Sequence, residues 1–221
     1  MSERIRIDLH LHTAGSWDCL SDPERVLERA LGRGLERIAI TDHNRLSVAR
    51  TMSSRYPGRV IAGEEVKTAE GIDVIGLYLE REIPKGTPAR ATCESIRAQG
   101  GIVYLPHPYA RGKGGDGRLA ETLAPLVDVV EVFNARVFSR RRNLKGLDLA
   151  ERHGLLHGAG SDAHTVREVG NAWVELPHHA NEPAALLDAL REATIHGRRA
   201  WPLVRLASNW AKLWKRTQPP P

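Results

Sequence analysis

Cysteine is nearly absent from this 221-residue chain: Cys19 and Cys93 are the only two. They lie far apart with no CxxC spacing, which argues against a disulfide framework and against thiolate zinc sites. No apolar run reaches the roughly 18 to 20 residues needed to span a bilayer. The polar start Met1-Ser2-Glu3-Arg4 lacks the apolar stretch of a secretory signal, so a cytoplasmic location is expected. Internal repeats are absent, and the only low-complexity stretch is Gln218-Pro219-Pro220-Pro221, expected to be extended and mobile. The glycine-rich loop from Tyr109 to Gly115 lacks the Walker signature and is no nucleotide-binding P-loop.

What is present is a core and an uneven charge. Hydrophobic residues make up 41%, enough for one substantial core, and the domain is expected to span residues 1–200. The net charge is +5, with basic residues clustered at Arg136 and Arg140-Arg141-Arg142 and again from Arg198 to Arg216. Such clusters would favour anionic partners, nucleic acid among them, but are also common on solvated surfaces. Residues 201–221 form a separate basic segment carrying Trp201, Trp210 and Trp214. It is expected to pack on the exterior of the domain; docking on an anionic membrane surface or a partner is the alternative.

Short apolar runs alternate with helical patterns, the signature of repeated βα units. Strands are expected at residues 4–10, 36–41, 59–63, 72–78, 102–105, 128–133, 155–159 and 171–176. Asp22-Pro23-Glu24 starts a helix with Val26, Leu27 and Ala30 on its apolar face. Further helices fit residues 46–54, 89–98, 117–123, 137–153 and 181–196, while residues 63–79 read as a hairpin.

Residues with coordination chemistry stand at the strand ends. His10 and His12 follow the first strand, Asp42-His43 the second and Glu64-Glu65 the third. His107 follows the fifth strand, Asn134 the sixth, and Asp162 with His164 the seventh. Side chains at i and i+2 of a strand leave the same face, so His10 and His12 point to one place. In a closed βα barrel all these ends meet at one mouth. Asp42 and Asp162 singly could be helix-cap or turn residues, but the joint pattern is not one of caps. Imidazoles with carboxylates suit manganese, iron or zinc. A carboxylate such as Glu65 can bridge two ions, and two metals about 3.5 to 4 Å apart can share a hydroxide nucleophile for phosphoryl transfer. No serine or cysteine has a placed His/Asp partner, so a hydroxide activated by metal is the expected nucleophile.

Asp8-Leu9-His10-Leu11-His12-Thr13, Ile40-Thr41-Asp42-His43, Gly63-Glu64-Glu65-Val66, His107-Pro108-Tyr109, Glu131-Val132-Phe133-Asn134 and Gly160-Ser161-Asp162-Ala163-His164 resemble the PHP (polymerase and histidinol phosphatase) superfamily. The resemblance implies a distorted (β/α)7 barrel, two to three divalent ions and phosphoesterase activity. By motif position it implies that His10, His12, Glu65 and Asp162 hold one metal. Glu65 would bridge to a second ion with His107, and Asp18, His43 and His164 would hold a third. Glu65, His107, Asp162 and Arg136 are thereby the expected catalytic residues. Two departures stand out: relatives often carry histidine where this chain has Asp73, and Asn134 replaces a stronger ligand. Asp73 and Asn134 are candidate ligands of a weaker site, and two tightly bound ions with a looser third are expected. Arg136 and Arg111 are candidates for binding substrate phosphate through the planar guanidinium fork.

The expected function is hydrolysis of a phosphate ester: a small phosphomonoester, a nucleotide or an oligonucleotide end. Histidinol phosphate hydrolysis, an amidohydrolase-like reaction and a non-catalytic binding role are the alternatives. The oligomeric state is not legible from the sequence.

Overall fold

The computed structural model describes residues 3–110, 117–201 and 203–217. The expectations for Arg111 and for the 218–221 tail lie outside these residues. Nine strands form one mixed sheet in the order β7-β6-β5-β4-β3-β2-β1-β8-β9. They are β1 (Arg4–Leu11), β2 (Arg37–His43), β3 (Val60–Lys67), β4 (Asp73–Leu77), β5 (Ile102–Leu105), β6 (Val129–Asn134), β7 (Leu156–Gly160), β8 (Ala172–Pro177) and β9 (Thr194–Gly197).

The helices are α1 (Pro23–Leu31), α2 (Ser47–Arg55), α3 (Ala89–Arg97), α4 (Arg118–Leu123), α5 (Arg140–His153), α6 (Pro183–Leu190) and α7 (Val204–Arg216). β3 and β4 are an antiparallel hairpin, as the sequence pattern suggests.

The sheet curls until its ends nearly meet. The lower half of β1 pairs antiparallel with β8. Its upper end bonds to the turn after β7: His12 N–H donates to Ala163 O at 2.9 Å and Asp162 N–H to His10 O at 2.7 Å. The result is a distorted α/β barrel whose first and seventh strands present His10, His12 and Asp162 side by side.

Alternation along the strands divides the core into two layers. Ile5, Ile7, Leu9, Ala39, Ile61, Ile75 and Tyr104 fill the interior, joined by Leu186 and Leu190 of α6. Ile38, Ile40, Val60 and Ala62 pack beneath α1, α2 and α3. A register shift between Asp8 and Leu11 moves Leu11 into the outer layer.

Two elements differ from expectation. The helix projected over 181–196 ends at Leu190, and Thr194–Gly197 instead pairs with β8. Pairing to an open sheet edge satisfies the backbone groups that face β8, which outweighs a weak helical pattern. The basic C-terminal segment forms the helix α7, and it lies over the barrel mouth rather than against the outer wall. Ser208 and Ala211 are buried, while Leu206, Trp210, Leu213 and Trp214 remain exposed. Its apolar side thus faces outward. Among the described residues no helix is long and apolar enough to cross a membrane.

Candidate metal centre

The strand ends place three donor groups within coordination reach: His10 with His12 and Asp162, His10 with Glu65 and His107, and His12 with His43 and His164. Two carboxylate oxygens close in on the His10–His12 pair. His10 Nε2 and His12 Nε2 are 3.2 Å apart. Glu65 Oε2 is 3.4 Å from each of them, and Asp162 Oδ1 is 3.8 Å from His10 and 3.3 Å from His12. A tetrahedral ion with bonds near 2.0 to 2.1 Å has ligand edges of roughly 3.3 Å. His10, His12 and Asp162 lie mutually within coordination reach at spacings of the order a transition-metal ion requires, with Glu65 Oε2 beside both imidazoles.

The rest of each imidazole is committed elsewhere. His10 Nδ1 meets Glu131 Oε1 at 2.9 Å. His164 Nδ1 meets the Asp162 carbonyl at 2.9 Å, and a carbonyl can only accept. His12 Nδ1 lies 3.1 Å from Ser16 Oγ, whose own proton goes to Asp42 Oδ1. In these three imidazoles Nδ1 therefore carries the hydrogen and the Nε2 lone pair faces the centre, whereas His43 turns its Nδ1 toward Glu65. Such outer partners fix the tautomer that a metal requires. Lone pairs converging in a buried site repel one another unless a cation or proton stands among them.

Electrostatics tells the same story. Burial opposes charge on His10, but the Glu131, Asp162 and Glu65 carboxylates outweigh it and raise its pKa well above the usual value. His12 moves the other way, through burial and then the His164 and His43 charges. The metal-free pair thus holds its proton at His10. Burial also opposes charge on Asp18, yet His164 and then His43 hold its carboxyl below the usual range. Asp18 Oδ2 lies 3.3 Å from His164 Nε2 and 3.8 Å from His43 Nε2. Its Oδ1 is buried without a hydrogen-bond partner among the described residues. A buried, unsatisfied carboxylate oxygen costs about 1 to 3 kcal/mol or more, a cost that a bound cation removes.

Glu65 spans the site: Oε2 is 3.0 Å from His43 Nδ1 and Oε1 is 3.1 Å from His107 Nε2. Two of the converging residues, His107 (φ 28°) and Asp162 (φ 51°), sit in the left-handed region. Such backbones cost about 1 to 3 kcal/mol each and persist only where surroundings hold them. Here the His107 N–H donates to Glu131 Oε2 at 2.8 Å.

The remaining expected residues divide. Asn134 is buried beside the site, but its Oδ1 accepts from the Arg136 and Val137 N–H groups. Its Nδ2 donates to Glu131 Oε2 at 2.9 Å and Asp162 Oδ2 at 3.3 Å, so it orients carboxylates. Asp73 lines the adjoining cavity, with Lys67 Nζ 3.1 Å from its Oδ1. Arg136 also lines the cavity, yet its Nε is 3.3 Å from Glu168 Oε1 and its Nη2 donates to Ser208 Oγ at 2.6 Å. Nη2 thereby ties α7 to the barrel, while Nε is engaged by Glu168 within it.

The sequence assigns no role to Ser16 or Glu168, shows Glu131 only as part of a motif, and places Asp42 among the strand-end residues without a partner. Asp42 instead accepts from Thr13 N–H at 2.6 Å, Thr13 Oγ1 and Ser16 Oγ, pinning the loop between His12 and Asp18. A carboxylate in the middle of the apolar strand Val129–Asn134 was the available signal for Glu131.

A cavity of about 920 Å³ opens over the donors. Lys67, Lys85, Arg142 and Lys212 lie on its wall beside Trp17 and Phe138.

Comparison with known proteins is consistent with this geometry. The PHP domain model matches residues 8–100 and the PHP-associated model residues 140–195. An uncharacterized protein of Methanocaldococcus jannaschii is 36% identical over 176 residues, covering 77% of this chain and 70% of that protein. A phosphoribosyl 1,2-cyclic phosphate 1,2-diphosphodiesterase of Eggerthella lenta is 36% identical over 92 residues, 38% of this chain and 33% of that enzyme. Among solved structures, a two-domain protein from Bacteroides vulgatus containing a predicted PHP-like metal-dependent phosphoesterase superposes with a TM-score of 0.72 at 15% identity, over 89% of this chain and 66% of that one.

Proposed function

The chain belongs to the PHP domain family, and from that premise we propose that it is a metal-dependent phosphoesterase acting on a small phosphate ester, a nucleotide or an oligonucleotide end. The observation that carries the reading is the convergence of the His10, His12, Glu65 and Asp162 donors at 3.2 to 3.8 Å, with imidazole lone pairs turned inward. In this reading those four residues hold one divalent ion. Glu65 and His107 hold a second, and Asp18, His43 and His164 a third. Manganese, iron or zinc bound there would supply Lewis-acid charge for phosphoryl transfer and lower the pKa of a water nucleophile.

The protein's own contribution is preorganisation. Glu131, Ser16 and the Asp162 carbonyl keep His10, His12 and His164 in the required tautomer, and Asn134 donates to Asp162. Lys67, Lys85 and Arg142 give the wall positive charge toward an anionic substrate. The cavity, about 920 Å³, falls within the ordinary range for small-molecule sites. The likeness to an enzyme named for a cyclic phosphate diester makes diesters, as well as monoesters, fitting substrates to assay. Cys19 and Cys93 are both buried free thiols, in keeping with a reducing compartment such as the cytoplasm.

The test is hydrolysis of 4-nitrophenyl phosphate and bis(4-nitrophenyl) phosphate by protein loaded with manganese, iron or zinc. Chelator-treated protein and His10→Ala serve as blanks. Metal-dependent turnover of either ester, absent from both blanks, is expected; metal-loaded protein that cleaves carboxylic esters or amides but no phosphate ester would refute the reaction class.

A further inference from the structure

The α7 helix brings one charged side chain to the metal centre from outside the barrel. Lys212 Nζ lies 3.9 Å from Asp18 Oδ2, the oxygen that also faces His164 and His43. The ammonium sits 4.6 Å from the centroid of the Trp17 ring, so a cation–π contact fixes its direction. Lys212, Trp17 and Asp18 all line the same cavity.

The helix itself is tied down at both ends of this face. Lys215 Nζ donates to the Ala14 and Ser16 carbonyls at 2.5 Å each, and Ser208 accepts from Arg136 at 2.6 Å. These anchors hold α7 on the loop that carries Asp18, with its polar side inward at the cost of an exposed apolar one.

We propose that Lys212 is a substrate-binding residue that takes a non-bridging oxygen of the phosphate group at the metal centre. The proposal rests on the phosphoesterase reading above. A cation on Asp18 would neutralise the carboxylate that faces the ammonium and place like charges close together. A phosphate anion bound between them satisfies both. Lysine serves phosphate as a point charge, needing no planar fork. Arg136, the alternative donor, is already held by Glu168 and Ser208. If Lys212 served only to balance Asp18, its removal would act on metal retention and leave phosphate affinity of the loaded protein alone.

The experiment uses the full chain reconstituted with manganese. Inorganic phosphate is titrated calorimetrically into wild type, Lys212→Met and Lys212→Arg, and phosphomonoester kinetics and metal content are measured on the same samples. Lys212→Met keeps the aliphatic length against Trp17. It is expected to weaken phosphate binding and raise KM by about tenfold to a hundredfold, the scale of a charged hydrogen bond. Metal content should be unchanged, and Lys212→Arg should recover most of the loss. Unchanged phosphate affinity in metal-replete Lys212→Met, or loss of metal in place of loss of phosphate, would overturn the assignment. Phosphate binding that depends on Lys212 in a protein that hydrolyses no ester would uphold it while refuting the phosphoesterase reading.

Discussion

Replacing Glu131 by glutamine tests whether the outer hydrogen bonds make the site a metal site. Glu131 Oε1 accepts from His10 Nδ1 at 2.9 Å and from Tyr104 Oη at 3.3 Å. Oε2 accepts from His107 N–H and from Asn134 Nδ2. All four partners are donors in the metal-ready arrangement, which only a carboxylate can satisfy. An amide must turn its NH2 toward one pair. Facing His107 and Asn134, it meets two donors in a buried site, at a cost of about 1 to 3 kcal/mol for the unsatisfied groups. Facing His10, it demands a lone pair on Nδ1 and drives the hydrogen onto Nε2, the atom that must bind metal. Removing such an outer partner typically lowers metal affinity 10- to 100-fold, about 1.4 to 2.7 kcal/mol. Competition against a chromophoric chelator at fixed pH measures this directly. Circular dichroism and melting in chelator establish that the variant is folded, and nitrogen-15 NMR of His10 reports the tautomer. Wild-type affinity in folded Glu131→Gln, with His10 still protonated at Nδ1, would refute the argument.

Other outcomes follow from the same contacts. A Cβ at Gly160 would stand 2.3 Å from His10 Cβ and 2.7 Å from Glu131 Oε1, so Gly160→Ala should lose metal and about 1 to 3 kcal/mol of stability in urea titration. Because His10 holds a proton in the metal-free chain, loading must release it. Metal affinity should therefore fall as pH drops, by about tenfold per unit for each proton displaced, as read by titrations in a pH series. Burial pushes the Cys93 thiol up to about 11, so thiol reagents at pH 8 should leave it unmodified in the native protein and label it in denaturant. Asp42→Ala frees Thr13 and Ser16 together, and a melting temperature equal to wild type would show that the loop does not depend on it.

The converging ligands were legible because coordination chemistry uses few residue types, and βα repetition forces the strand ends to meet. His10, His12, Asp18, His43, Glu65, His107, Asp162 and His164 do come together in the structure. Their supporting residues were harder to read, since their roles arise only across the fold. Glu131 stands 121 residues from His10, and although its place in an apolar strand marks it as unusual, nothing local names the imidazole it serves. Arg136 shows the converse: a planar fork near a strand end suggests phosphate, but the nearby Glu168 engages it first. The β9 segment escaped for a related reason, because residues 194–197 gain their pairing from β8, an edge that a local helical pattern cannot see.

The helix α7 carries this furthest. Its periodicity distinguishes an apolar side from a polar one, and burial of the apolar side is the ordinary outcome. The metal centre reverses that preference locally. A barrel mouth crowded with carboxylates and exposed loop carbonyls offers acceptors to Lys212 and Lys215 and a donor to Ser208. The same strand-end chemistry that gathers the metal ligands thus selects which face of the last helix turns inward. It also explains why Leu206, Trp210, Leu213 and Trp214 are left on the outside.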